Sequence, residues 1–217
     1  MFGFYSLKSL MVLLVAVALS MTIHEVGHGL MSYWLGDPTA KISGRLSLNP
    51  LHHIDWVGMF CLIFFGFGWA KPVPIDSRYY KDAKGGIIWT SFAGPIANFV
   101  LSFICILLYC ALIRFFPLFV MGSTGSFIMD ILASTASLSV GFGIFNLIPI
   151  PPLDGSKIFW SFLPDRLYYK YMDGAWWMNL VFIALIFFTD ILTGPISMLR
   201  GTILDWMLQA CRFIFGI

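Results

Sequence analysis

Leu10-Met-Val-Leu-Leu-Val-Ala-Val-Ala-Leu-Ser20-Met-Thr-Ile-His24-Glu25-Val-Gly-His28-Gly-Leu-Met-Ser-Tyr-Trp-Leu35 is a run of about 26 residues in which His24, Glu25 and His28 are the only acidic, basic or imidazole side chains. A helix of that length and polarity crosses the apolar layer of a bilayer with some tilt. The three polar groups therefore sit inside a membrane helix. Lys8, the apolar run and Ala16-Val17-Ala18 imitate a secretion signal with a small-residue cleavage site. No polar stretch separates Ala18 from the apolar residues that follow, so the run reads as a first span.

The whole chain agrees with that beginning. Of 217 residues, 59% are hydrophobic, 18% aromatic and 11% charged, and the mean hydropathy is +0.86. Soluble domains carry roughly 25% charged residues, which excludes an ordinary water-soluble globule. At about 20 residues per span, the length suits an all-α multipass membrane protein, a bundle of about four to six membrane segments with short loops. The net charge of +2 is small and its basic residues dispersed, so nucleic acid is not expected as a partner. Cys61, Cys105, Cys110 and Cys211 stand in apolar runs without a C-x-x-C pair and read as small core residues.

Further along, Lys41 to Leu48 alternates well enough for a small β-hairpin, with Gly44 near the turn and Asn49-Pro50 as the stop. Trp56 to Trp69 is apolar but glycine-studded and short for a span, which suits a re-entrant segment. Residues 71–86 make a charged, proline-punctuated loop. Ile87 to Ile113 reads as a span interrupted by Gly94-Pro95, and Ser126 to Ile148 as another. It closes on Asn146-Leu-Ile-Pro-Ile-Pro-Pro-Leu-Asp154-Gly155, where three prolines within four residues forbid regular helix. Residues 157–173 read as a polar loop, Ala175 to Leu192 as a span and Ser197 to Ile217 as an amphipathic or spanning segment. The loops over 36–86 hold six Lys/Arg, those over 149–173 three, and 115–130 none. With the basic loops cytoplasmic, the end of the histidine helix and Asp154 share that side.

His24 and His28 lie one helical turn apart on one face and are able to chelate a single ion. In H-E-x-x-H, the glutamate beside two histidine ligands acts as general base. A zinc ion there lowers the pKa of its water to about 7. Chance occurrence of the motif is common in soluble helices. Inside a span, however, a buried carboxylate costs at least about 2.5–3.5 kcal/mol and persists mainly where paired or functional. A third protein ligand is needed; Asp130, Asp154, Asp190, His52 and His53 are the candidates. Asp154, between a rigid proline turn and Gly155, suits a fixed ligand best.

His24-Glu25-x-x-His28 together with Asn146-x-x-Pro149-x-Pro-x-Leu153-Asp154-Gly155 resembles the site-2 protease family of intramembrane zinc metalloproteases, in its compact prokaryotic branch. Gly94-Pro95-x-x-Asn98, Asn49-Pro50-Leu-His-His53-Ile-Asp55 and Phe67-Gly-Trp-Ala-Lys-Pro-Val-Pro74 extend the similarity over about Ile23 to Lys157. The resemblance implies that His24, His28 and Asp154 bind one Zn2+, that Glu25 is the catalytic base, and that a transmembrane segment of another protein is hydrolysed. Small prokaryotic members of the family process membrane-tethered regulators or leftover signal peptides. No PDZ-like insertion is visible between the spans.

Asn146 and Asn98 are candidates for holding the substrate backbone or its carbonyl, against a role in interhelical hydrogen bonding. The 41–48 hairpin is a candidate edge for an extended substrate. The expected organisation is one intramembrane protease domain over 1–217, with core motifs in 23–157 and C-terminal membrane segments in 174–217, in the cell membrane with its site toward the cytoplasm. A proteolytically inactive zinc-containing adaptor or chaperone is the alternative, and a membrane transporter a more distant one. Intact Glu25 argues against the first and the lack of an internal repeat against the second.

Overall fold

In a computed structural model, residues 6–65, 68–164 and 192–216 are described. Among these described residues, three helices are long and apolar enough to cross a membrane: α1 (Leu7–Trp34), α4 (Ala83–Phe115) and α6 (Ser123–Asn146). Between α1 and α4 lie the short helices α2 (Thr39–Ile42) and α3 (Trp56–Phe65). The remainder comprises α5 (Pro117–Met121), α7 (Asp154–Trp160) and α8 (Thr193–Phe215). The span expected over 175–192 lies, but for Leu192, outside the described residues.

Side-chain caps mark where these helices begin. Ser6 Oγ accepts from Ser9 N at 3.1 Å before α1, and Asp82 accepts from Gly85 N at 3.1 Å before α4. Asp55 accepts from Val57 N and Gly58 N at 2.9 and 3.0 Å before α3, which gives that aspartate a local task. Gly36, at φ +105°, takes the chain out of α1 in a conformation that side chains with a Cβ avoid.

The long helices α1, α4 and α6 pack on one another, and the seams are small or polar. Ser20 and Ser139 share a hydroxyl hydrogen bond of 2.8 Å, and Ser102 Oγ donates to Ala136 O at 3.0 Å. Such bonds between membrane helices contribute about 0.6 kcal/mol each. Gly27 allows the close approach of α1 and α4, since a Cβ there would lie 2.7 Å from Ala93 O. Facing outward, Ile96, Val100, Ile104 and Leu108 form a stripe at four-residue spacing along α4. Water would penalise that stripe, whereas lipid accepts it.

At one end of the bundle Lys8 Nζ meets Asp130 Oδ2 at 2.6 Å, pinning the starts of α1 and α6 together. The chain therefore runs down α1, up α4 and down α6. The loops rich in Lys and Arg and the turn before Asp154 then share the opposite end. Helix α8 covers α4 and α6, with Cys211 joining Cys105, Ile106, Cys110 and Ala136 in an apolar cluster. All four cysteines are free thiols, and three of them are buried.

Two expectations are corrected. No strand occurs among the described residues, and 39–42 forms the helical turn α2 instead of one arm of a hairpin. Asp37 accepts from Thr39 N at 2.9 Å and starts that turn, while Gly44 at φ +66° ends it. The apparent alternation reflects Ala40 tucked beneath α1 and Arg45 reaching the carbonyl of Lys71, not two paired edges. The polar loop expected from 157 likewise begins as helix, because α7 runs through Trp160. Helix α3 is about 15 Å long at 1.5 Å per residue, too short to cross. Its flanks meet in the antiparallel bridge between Ile54 and Ala70.

Candidate metal centre

The α-helical period sets the first half of the site. His24 and His28 project from one face of α1, their rings T-shaped with centroids 4.5 Å apart and Nε2 atoms 3.0 Å apart. Gly94 makes this fit under α4, since a Cβ there would lie 2.5 Å from His28 Nε2 and 2.8 Å from His24 Cε1. The second half comes from more than a hundred residues away. The proline turn delivers Asp154 at the first position of α7, and Gly155 lets that turn fold tightly against Leu147 O, where a Cβ would clash at 2.2 Å. Asp154 Oδ2 lies 3.2 Å from His24 Nε2 and 3.0 Å from His28 Nε2. All three side chains are buried.

The outer nitrogens explain which atoms face inward. His28 Nδ1–H donates to Thr90 O at 2.7 Å, which leaves Nε2 as a lone pair. That carbonyl lies beside Ser91, whose own carbonyl loses its helical donor because Pro95 has no N–H. Asn98 meets His24 Nδ1 at 3.2 Å through its amide nitrogen, with its Oδ1 buried and unpartnered. Turning the amide by 180° places Oδ1 on Nδ1–H and gives His24 the same inward lone pair. Two imidazole lone pairs and a carboxylate oxygen then face one another, an arrangement that requires a proton or a cation between them. Tetrahedral ligands about 2.0–2.1 Å from zinc stand about 3.3 Å apart. The observed 3.0–3.2 Å spacings fit such an ion closely, and this donor set is able to hold a metal.

A cleft of ≈ 430 Å³ opens onto the cluster. Glu25 lines it next to the ligand group, and its Oε2 accepts from Val73 N–H at 2.8 Å. Asn146 lines it from the end of α6, with Nδ2 donating to Phe142 O at 3.1 Å. Asn98 is fully buried behind His24 and away from the cleft lining. Asn98 thus contacts His24 while Asn146 lines the cleft.

The remaining candidates lie elsewhere. Asp130 is in the ion pair with Lys8 at the far end of the bundle. His53 is buried with Nε2–H donating to Ser47 O at 2.8 Å, and His52 is exposed beside Gly44 O. Burial pushes the His53 imidazole down from its ordinary pKa, against the Ser47 carbonyl, which raises it. Asp190 lies outside the described residues.

Sequence reasoning missed the support behind the cleft wall formed by residues 71–80. Fully buried Asp37 accepts from Ser32 Oγ at 2.7 Å, Thr39 N at 2.9 Å and Asp76 N at 2.8 Å. Burial alone pushes that carboxyl up, but these hydrogen bonds to the charged form hold it below the usual carboxylate range. Tyr80 OH bridges Ser32 at 2.7 Å and Thr90 Oγ1 at 3.1 Å. The wall is thereby tied to the residue whose carbonyl orients His28. Asp37-Pro38 directly after a span was the available signal.

The family model described as "Peptidase family M50" matches residues 12–189, most of the chain. The chain belongs to peptidase family M50, the site-2 protease family. It is similar to "Putative zinc metalloprotease YwhC" of Bacillus subtilis, 33% identical over 195 residues, which cover 85% of this chain and 84% of that protein. "Putative zinc metalloprotease Rip2" of Mycolicibacterium smegmatis is 32% identical over 144 residues, 63% of this chain and 51% of that one. The protein of the same name in Mycobacterium tuberculosis is 26% identical over 181 residues, covering 81% and 66%. No solved structure matches this chain. M50 membership and three membrane-capable helices together mark a multi-pass membrane protein.

Proposed function

We propose that this chain is an intramembrane zinc endopeptidase that hydrolyses a peptide bond within or next to a transmembrane segment of another protein. One observation carries the reading: two imidazole nitrogens and one carboxylate oxygen converge within 4.8 Å of one another at the mouth of a cleft that Glu25 also lines. His24, His28 and Asp154 would hold one Zn2+ per chain, three protein ligands of the kind found in catalytic zinc sites. Zinc, when bound, supplies a Lewis acid that polarises the scissile carbonyl and lowers the pKa of water.

Glu25 takes a proton from the attacking water as its oxygen bonds to the carbonyl carbon, and delivers a proton to the leaving nitrogen as the C–N bond breaks. Val73 N–H holds Oε2 of Glu25, leaving Oε1 for that traffic. Asn146, on the cleft, is placed to hold the substrate backbone, whereas Asn98 serves the enzyme by orienting His24. A peptide must be extended to be cut, and the non-helical cleft wall at Pro72 and Val73 lies beside Glu25. One protease domain spans 1–217 in four to six membrane segments, with the site toward the cytoplasmic face of the cell membrane. Its substrates are membrane-tethered regulators or signal remnants.

The test measures zinc per chain by elemental mass spectrometry in detergent-purified protein. About one zinc in wild type and its loss in Asp154→Ala is the expected result. Glu25→Gln should keep the zinc and lose turnover of a membrane substrate by about 10²–10⁴-fold, the typical contribution of a general base. A wild type that takes up no zinc when supplied, or a Glu25→Gln variant that cleaves normally, overturns the reading.

A further inference from the structure

The two oxygens of Asp154 have separate partners. Oδ2 faces the histidine nitrogens at 3.0 and 3.2 Å, while Oδ1 accepts from Lys157 Nζ at 3.2 Å on the other side. We propose that Lys157 is a positioning residue for the metal, its ammonium holding Oδ1 so that Asp154 presents Oδ2 alone between the two histidines. This inference rests on the zinc reading above and deepens it.

The local fold builds the contact. Asp154 and Lys157 are three residues apart on α7, so their side chains lie on one face of the helix. Ser156 Oγ donates to Leu153 O at 2.6 Å, and Gly155 packs on Leu147 O, which fixes where the helix starts. The Asp154 side chain is 10% exposed and the Lys157 side chain 39% exposed, so the pair lies at the boundary between the buried site and the open cleft. There the ammonium keeps part of its hydration while the carboxylate loses most of its own.

A carboxylate has two equivalent oxygens, and rotation about Cβ–Cγ exchanges them or brings both to one ion. His24 and His28 avoid the corresponding ambiguity because Asn98 and Thr90 engage their outer nitrogens. Lys157 is the equivalent partner for the third ligand, and each of the three then has a group behind it. Use of the ammonium as a contact for an acidic substrate residue would not require its 3.2 Å approach to Oδ1.

The experiment uses the full-length chain in detergent, with zinc affinity read by competition against a chromogenic chelator in wild type, Asp154→Ala, Lys157→Met and Lys157→Arg. Lys157→Met should weaken zinc binding by about 10–100-fold, the usual effect of removing such a partner. Lys157→Arg keeps the charge and should stay within about threefold of wild type. If Lys157→Met does not remain monodisperse, Lys157→Gln replaces it with the same expected loss. Unchanged affinity without the charge, or equal loss in the arginine variant, overturns the role of Lys157 while leaving the zinc site standing. No zinc uptake by wild type overturns both.

Discussion

At the scale of single residues, the site divides into groups that face the cleft and groups that stand behind them. His24 and His28 are legible from sequence because a spacing of four on a helix fixes their common face, with Glu25 at its edge. Asn98 was legible as a polar residue in a span, but not as a partner of His24; both it and Asn146 suggest substrate contact until the fold separates them. Asn98→Ala should therefore weaken zinc binding by about 10–100-fold, measured by chelator competition, without changing KM for substrate in zinc-saturated enzyme. A KM effect with unaltered zinc affinity would return Asn98 to substrate binding. Thr90 acts through its main-chain carbonyl, so no residue type there signals its task.

At the scale of elements, the fit of α1 to α4 is sensitive to a single methyl group. Gly94→Ala places a Cβ within 2.5 Å of His28 Nε2, and both imidazoles must move to admit it. Zinc content should fall well below one per chain while the helix content by circular dichroism stays unchanged. Full zinc occupancy would show that the two helices simply separate. The cleft wall has a different weakness. The Asp37 carboxyl is held below its ordinary pKa of about 3.9. A depressed folded pKa contributes stability that is present above about pH 4 and is lost as pH falls through the folded value. Acidification below about pH 4 should thus loosen the 71–80 wall, read as faster amide exchange at Asp76 and Val73. Asp37→Asn should show that looser wall already at pH 7, with no further step on acidification; equal acid dependence in the variant would assign the effect to another group. The 41–48 segment marks the limit of local reading. Its alternation is real, but a carboxylate two residues before Thr39 and a left-handed Gly44 decide for a helical turn.

At the scale of the whole molecule, the Lys8–Asp130 ion pair and the His24–Asp154 contact mark opposite ends of one bundle. Single cysteines at Lys41, Lys71 or Lys81 should react with a membrane-impermeant maleimide from the cytoplasmic side, and one at Leu118 or Met121 from the other. Labelling of both sets from one side would dismantle the antiparallel order of α1, α4 and α6. The native thiols Cys105, Cys110 and Cys211 are buried, and the partly exposed Cys61 is replaced by alanine to keep the background of that assay low.

By itself the sequence determined the membrane environment, because hydropathy summed over about 20 residues outweighs any local preference. It also determined the histidine pair, because helical periodicity acts over a single turn. The tertiary structure decided which of several aspartates meets that pair. It decided too that Asn98 lies behind the histidines while Asn146 faces the cleft, and that Lys157 engages the far oxygen of Asp154. Those outcomes depend on how antiparallel helices and a proline turn, far apart along the chain, pack at one end of the bundle. The close approaches at Gly27, Gly94 and Gly155 set that packing, and no local periodicity encodes it.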